Sequence, residues 1–292
     1  MITNATVLSP SACILGESPL WHAARRSCFW ADIEERKMFE YRWAEKTIRT
    51  WHLPERISLI RQGKNNELVL GLQGGIYTFN LYSENLTQVT ALSENWQTHR
   101  CNDGAFDSMG RLWIGTMQLN PSEGFGSLYC ISSSNTVEKK IAQVTISNGI
   151  TWSADNTRMY YIDSATKQVD VYFFNEATGE ITFEKTAIKI PAELGLPDGM
   201  AMDEKGCLWI ALWGGYGVGR WDVNTGEMIG FVKIPVPFVT SCAFVGNNFD
   251  ELLITTASQG MDDAELKKYP QSGYVFTVQT NVKGLPVYRG SL

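Results

Sequence analysis

The chain has 292 residues, a net charge of −6, and 44% hydrophobic against 19% charged residues. That is ample for a sizeable core, and no Lys/Arg run exceeds two or three residues, which argues against a nucleic-acid partner. No apolar run approaches the ~20 residues of a spanning helix, and the start, MITNATVLSPSACIL, has neither a basic lead nor a long apolar segment, so neither a membrane span nor a signal peptide is expected.

Six cysteines (13, 28, 101, 130, 207, 242) are scattered without CxxC spacing. They read as reduced, buried, structural thiols of a cytoplasmic protein. Ten Trp, 26 Gly and regular Gly/Asn/Asp turns favour an all-β chain.

In chain order the first element is a short strand, NATVLS (4–9), with no partner of its own. Six similar hairpins follow: GESPLWHAARRSCFWAD (16–32), SLIRQGKNNELVLGL (58–72), NDGAFDSMGRLWIGT (102–116), NGITWSADNTRMYYID (148–163), DGMAMDEKGCLWIAL (198–212) and SCAFVGNNFDELLITT (241–256). Each is a strand, a polar turn and an apolar strand. The central large apolar residue of the second strand marks the repeat: Trp30, Leu70, Trp113, Tyr160, Trp209 and Leu253, spaced 40 to 49 residues apart. Between the hairpins lie further strand pairs, such as QVDVYFFN and ITFEKTAI, joined by turn-like links such as EATGE.

A period in the forties with four strands per unit is the signature of a propeller blade. The expectation is a six-bladed β-propeller of four-stranded blades around a central channel, one domain over 1–292. The N-terminal strand is expected to supply the outermost strand of the last blade and so close the ring. A β-sandwich or two unrelated β domains would not produce six copies with matching turns.

In a blade the first strand lies nearest the axis, and its start opens on one mouth of the channel. The second strand returns to that mouth. The inner strands begin at Glu17, Ser58, Asn102, Asn148, Asp198 and Ser241, all polar. Taken singly, Asn-Gly and Asp-Gly are ordinary turn formers. Six polar positions converging on one axis favour binding. Glu17, Asn148 and Asp198 make an all-oxygen set suited to one divalent cation: Ca²⁺, Mg²⁺ or Mn²⁺, with Zn²⁺ or Fe²⁺ also compatible. Three protein ligands leave positions open, as catalytic sites require. The three histidines (22, 52, 99) show no metal-binding spacing.

Arg100 lies two residues before Asn102 and shares its face in an extended strand. It suits either bidentate binding of substrate oxygens or a salt bridge at the strand entrance. The stretch WGGYGVG (213–219) follows a second strand and so reaches the same mouth, with Trp213 and Tyr216 as candidate pocket-wall residues and core packing as the alternative. No G-x-S-x-G elbow occurs, and Ser127, after a glycine, is read as packing at a blade edge.

LGESPLW, RCNDGAFDSMGRLWIGTM, ISNGITWSADNTRMYYID and LPDGMAMDEKGCLWIALWGG resemble, in order, the signature stretches of the SMP-30/gluconolactonase/luciferin-regenerating-enzyme family. The C-terminal LLITTASQGMDDAELKKYPQSGYVFTV is similar to its bacterial sugar-acid lactonases, including those acting on xylono- and arabinono-lactones. The resemblance implies a six-bladed propeller with one catalytic divalent metal, held by Glu17, Asn148 and Asp198, and a sugar lactone oriented by Arg100 and Asn102. Cys101 departs from the Phe or Pro of relatives and implies a packing change only. The implied reaction is hydrolysis of an aldono-1,4- or 1,5-lactone to the aldonic acid in carbohydrate catabolism, with Lewis-acid polarisation of the carbonyl and Asp198 as candidate base. A non-catalytic calcium-binding propeller and a metal-dependent phosphotriesterase at the same site are the alternatives. Which sugar is used depends on mouth loops such as 117–126 and 213–219, which metal is bound depends on availability and loading, and oligomeric state leaves no trace in the sequence.

Overall fold

In the computed structural model, residues 2–64, 67–290 and 292 are described. The strands form six four-stranded antiparallel blades. Blade 1 comprises Gly16–His22, Ser27–Asp32, Lys37–Arg42 and Thr47–His52. Blade 2 comprises Ile57–Gln62, Glu67–Leu72, Gly75–Asn80 and Leu86–Thr90. Blade 3 comprises His99–Phe106, Leu112–Gln118, Gly126–Ile131 and Val137–Val144. Blade 4 comprises Ser147–Trp152, Arg158–Asp163, Gln168–Asn175 and Glu180–Lys189. Blade 5 comprises Leu196–Met202, Cys207–Trp213, Gly217–Asp222 and Met228–Lys233. Blade 6 takes Val239–Val245, Glu251–Thr256 and Val275–Gln279 from the C-terminal part, and its fourth strand, Thr6–Ser9, from the start of the chain. Each inner strand packs on the inner strands of its two neighbours, and blade 6 packs on blade 1.

The N-terminal strand therefore closes the ring, antiparallel to Val275–Gln279 with Thr6 opposite Thr277. One addition was not expected from the sequence. Ile2–Asn4 pairs in parallel with Met228–Lys233 and gives blade 5 a fifth strand.

The core is divided into wedges between adjacent blades. Alternation along a strand sends neighbouring residues to opposite faces, so one second strand feeds two wedges. Trp209 packs with Cys242 and Leu252 of blade 6, while Leu208 and Ile210 pack with Tyr160 and Ile162 of blade 4. Phe29 faces blade 2 and Trp30 faces blade 6 in the same way. All six marker residues lie buried in second strands. Cys101 is fully buried against Leu59 and Ile114, and all six cysteines are free and buried.

The hairpin turns of blades 3 and 5 share one device. Asp203 Oδ1 accepts from the backbone N–H groups of Lys205 (2.9 Å) and Cys207 (3.0 Å), and Oδ2 from Trp209 Nε1 (3.0 Å) and Arg220 Nε (2.7 Å). Asp107 repeats this with Met109, Arg111 and Trp113. The carboxylate thus fixes both the turn and the marker tryptophan.

Ser127 corrects the sequence reading. It sits in the third of four strands, buried, with its N–H donating to Thr116 Oγ1 at 3.0 Å, and is not at a blade edge. The C-terminal segment crosses the far end of the channel. Leu285 N–H donates to Met202 O of blade 5, Tyr288 Oη–H to Asn156 Oδ1 of blade 4, and Gly290 N–H to Gln62 O of blade 2. Among the described residues no helix is long and apolar enough to cross a membrane.

Candidate active site

Every inner strand slips register against its second strand. In blade 1, Glu17 lies opposite Ala31 but Leu20 opposite Phe29. The same step occurs between Cys101 and Gly104, between Ser147 and Ile150, and between Pro197 and Met200. Each step inserts one extra residue, a β-bulge, which re-aims the side chains it carries. The bulges hold Asn102-Asp103, Asn148-Gly149 and Asp198-Gly199, and in blade 1 the bulge follows directly on Glu17. In blades 2 and 6 the slip is also one residue, but it leaves a single residue unpaired on the inner strand, between Ile57 and Leu59 and between Val239 and Ser241.

The glycines after Asn148 and Asp198 are not in the left-handed region. They are there for close approach. A Cβ on Gly199 would stand 2.1 Å from Ser241 Oγ, and one on Gly149 would stand 2.7 Å from Met200 Cγ and 2.9 Å from Asp198 O. The turn-former reading of these pairs is thereby replaced. The glycine lets the next blade's inner strand reach the axis.

Glu17, Arg100, Asn102, Asn148 and Asp198 come together around one cavity of about 200 Å³. Trp213 lines it too, stacked on Phe238 with ring centroids 4.4 Å apart. Three expected members are absent. Ser58 donates to Gly71 O. Ser241 faces the cavity at the opposite end of the channel. Tyr216 is outside the lining, with its hydroxyl 2.8 Å from that of Tyr269. As a wall residue it is corrected: Tyr216 takes a left-handed φ of 58°, and its ring packs on Tyr269 at the end of the helix Asp263–Lys268.

A chain of hydrogen bonds fixes the amides. Arg100 Nη1 donates to Asn102 Oδ1 and to Cys101 O. Asn102 Nδ2 donates to Ser147 O (2.6 Å) and to Asn148 Oδ1 (2.8 Å). Asn148 Nδ2 donates to Ser164 Oγ (2.7 Å), which in turn donates to Pro197 O (2.6 Å). With its NH₂ end held by Ser164, Asn148 can turn only its oxygen to the site.

The carboxylates are the unusual feature. Burial, and then the charge of Asp103, push Glu17 up to about 8 against the Ser18 N–H, Arg100 and Arg61. Burial, followed by Glu17 and Asp103, holds Asp198 well above the carboxylate range. Neither forms an ion pair with a protein cation among the described residues, although each is over nine-tenths buried. Buried like charges without a counter-ion are costly unless a cation joins them. Two carboxylates and an oriented amide oxygen suit a hard divalent cation. Among the described residues no three His, Cys, Asp or Glu side chains make such a cluster on their own, so the amide is needed to complete the set.

Sequence reasoning missed Ser164, Gln259 and Arg61. Ser164 follows the second strand of blade 4, so the rule that second strands return to the mouth could have found it. Gln259 lines the cavity from the segment after blade 6's second strand, inside a stretch the sequence reading used only for its resemblance. Arg61 pairs with Asp103 below the carboxylates, across a blade boundary that spacing does not reveal.

A family model for the SMP-30/Gluconolactonase/LRE-like region matches residues 15–258. Regucalcin of Gallus gallus is 35% identical over 280 residues, covering 94% of each chain. The "Putative sugar lactone lactonase YvrE" of Bacillus subtilis (strain 168) is 29% identical over 281 residues, covering 96% of each. Among solved structures, a calcium-binding regucalcin from Agrobacterium tumefaciens superposes with a TM-score of 0.95 at 28% identity, covering 100% of this chain and 99% of that one.

Proposed function

The chain belongs to the SMP-30/gluconolactonase/LRE-like family, and on that premise we propose that it hydrolyses a sugar lactone to the aldonic acid with one divalent cation. One observation carries the reading: two buried carboxylates, Glu17 and Asp198, form no ion pair among the described residues and face the same cavity as the oriented oxygen of Asn148. A relative named as a sugar lactone lactonase supports the substrate class.

Glu17, Asn148 and Asp198 hold the cation in this reading. When bound it supplies Lewis-acid polarisation of the lactone carbonyl. Arg100, in the wall of the cavity, takes ring hydroxyls or the developing carboxylate on its free N–H groups. Asn102 holds Arg100 on one side and Asn148 on the other, and its oxygen keeps a lone pair for a substrate hydroxyl. Asp198 takes the proton from an attacking water. The C–O ring bond breaks as the water oxygen bonds to the carbonyl carbon, and the proton passes to the ring oxygen that leaves. Leu15, Ile33 and Trp213 form an apolar wall that limits water on the other side of the ring. Six buried, unpaired thiols accord with the reducing cytoplasm as the place of action.

A second reading is cation storage without catalysis. The oxygen-only donor set suits calcium, and the regucalcin relatives include one named as calcium-binding. A pH-stat assay over aldono-1,4- and 1,5-lactones, with chelator and then Ca²⁺, Mn²⁺ or Zn²⁺ restored, separates them. Lactonase action gives chelator-sensitive acid release that returns with metal. Metal binding with no acid release from any lactone leaves storage standing and removes the lactonase.

A further inference from the structure

Below the candidate site a part-buried ion pair joins two neighbouring blades. Arg61, near the end of blade 2's inner strand, places Nη2 3.1 Å from Asp103 Oδ1 of blade 3. Its other terminal nitrogen, Nη1, donates to Ser18 Oγ at 2.9 Å and to Ile60 O at 2.8 Å. Ser18 belongs to blade 1 and directly follows Glu17. Three blades meet at one guanidinium. Arg61 itself lines the cavity at the far end and not the candidate site, so it is not placed to touch a substrate there.

Ser18 has a left-handed φ of 54°, which residues other than Gly adopt uncommonly. Pro19 follows it and disfavours the right-handed helical alternative. Such a conformation persists where surrounding atoms hold it. Here the atoms are identifiable: Ser18 Oγ accepts from Ile60 N–H at 2.8 Å and from Arg61 Nη1. In this conformation the Ser18 N–H donates to Glu17 Oε2 at 2.9 Å. The hydrogen bonds thus run from Asp103 through Arg61 and Ser18 to the Glu17 carboxylate.

We propose that Arg61 is a positioning residue: held by Asp103, it locks Ser18 in the left-handed conformation and so fixes the Glu17 carboxylate for a divalent cation. This rests on the reading of Glu17 as a metal ligand. A guanidinium acting only as a counter-charge would have the opposite sign, because removing a positive charge beside the site would tighten cation binding. Positioning predicts that breaking the link weakens it.

Two variants break the link without changing net charge. One is Ser18→Ala. The other pairs Arg61→Gln with Asp103→Asn, which also avoids stranding a buried carboxylate. Mn²⁺ affinity is measured by titration calorimetry on protein shown folded by far-UV circular dichroism, and crystal structures of both variants are determined. The Mn²⁺ Kd is expected to rise about 10–100-fold in each, the range for outer-shell partners of metal ligands. Combining them should cost less than the product of the two, since both cut one link. Residue 18 should leave the left-handed region, or its N–H should part from the Glu17 carboxylate. Unchanged or tighter Mn²⁺ binding in both variants overturns the proposal. So does a crystal structure of Arg61→Gln/Asp103→Asn in which Ser18 and the Glu17 carboxylate have not moved. A wild-type protein that binds no Mn²⁺ overturns the functional reading instead, and the crystal structures then decide for or against Arg61's hold on Ser18.

Discussion

Glu17 of blade 1 and Asp198 of blade 5 face one cavity, and the Glu17 charge raises the affinity of Asp198 for a proton. Burial is the larger cause for both. The cavity is therefore a place where the fold itself opposes ionisation, and a bound cation would reverse that.

The pH dependence follows from the sign of the shift. An unfolded glutamate releases its proton near 4.5, whereas folded Glu17 keeps it up to about 8. Between those values the unfolded state binds fewer protons, so the stability of metal-free protein falls as pH rises. Asp198 is shifted in the same direction. The expected loss from pH 5 to pH 8 in chelator is on the order of a few kcal/mol. Saturating metal should flatten the slope, and metal binding at pH 6.5 should release protons. Thermal melts with and without chelator, and calorimetry in two buffers of different ionisation enthalpy, read both effects. A metal-free Tm that is flat or rises over this range would contradict the assignment.

Asp198→Asn keeps the side chain's shape and removes its charge and basicity. Metal-dependent lactone hydrolysis should fall by about 10²–10⁴-fold, the range for loss of a general base. The Tm in chelator should not fall, because one member of a repelling buried pair has gone. Wild-type turnover in this variant would remove Asp198 from the mechanism. A much lower Tm would show that its carboxylate is structural.

Gly199→Ala tests why glycine follows the carboxylate. The new methyl would meet Ser241 Oγ and Cβ, at 2.1 and 2.6 Å. Overpacking of this kind costs about 1–3 kcal/mol, or several degrees in Tm for a chain of this size. Ser241→Gly in the same protein should recover part of the loss, so that the two changes are not additive. If the double variant melts where additivity places it, the close approach of blades 5 and 6 is not what excludes a side chain there.

Much of the architecture was legible because a propeller repeats. One marker per blade, from Trp30 to Leu253, located every second strand, and the unpartnered start of the chain located the closing strand. The same register brought Glu17, Arg100, Asn102, Asn148, Asp198 and Trp213 to one cavity. What stayed hidden depends on single extra residues and on contacts between blades. A bulge leaves no mark in an alternating pattern, so Ser58 and Ser241 looked equivalent to Asn148, although their bulges leave one residue fewer unpaired and neither serine lines the same cavity. Asp-Gly and Asn-Gly are read locally as turns, whereas Gly149 and Gly199 answer to Met200 and Ser241 across a blade boundary. Tyr216 failed for a similar reason: its partner, Tyr269, lies in a segment outside the repeat. Arg61 and Asp103 sit on different blades, and no spacing rule pairs them.

Truncation separates the closing strand from the strand before it. Deleting residues 1–9 removes Thr6–Ser9 from blade 6 and leaves Val275–Gln279 as a bare edge. Deleting residues 1–4 removes only the parallel fifth strand of blade 5, whose blade is already complete without it. Each lost ladder bond is worth about 0.5–1.5 kcal/mol, but only the longer deletion opens the ring. It also exposes an unpaired strand prone to association. The longer deletion should therefore lower Tm by much more than its few extra bonds suggest and should promote oligomers on size-exclusion chromatography. The shorter one should shift Tm by a few degrees at most and stay like the wild type on the column. Equal losses from the two would mean that covalent continuity through the six wedge cores, and not the joining of the chain's two ends, holds the ring shut.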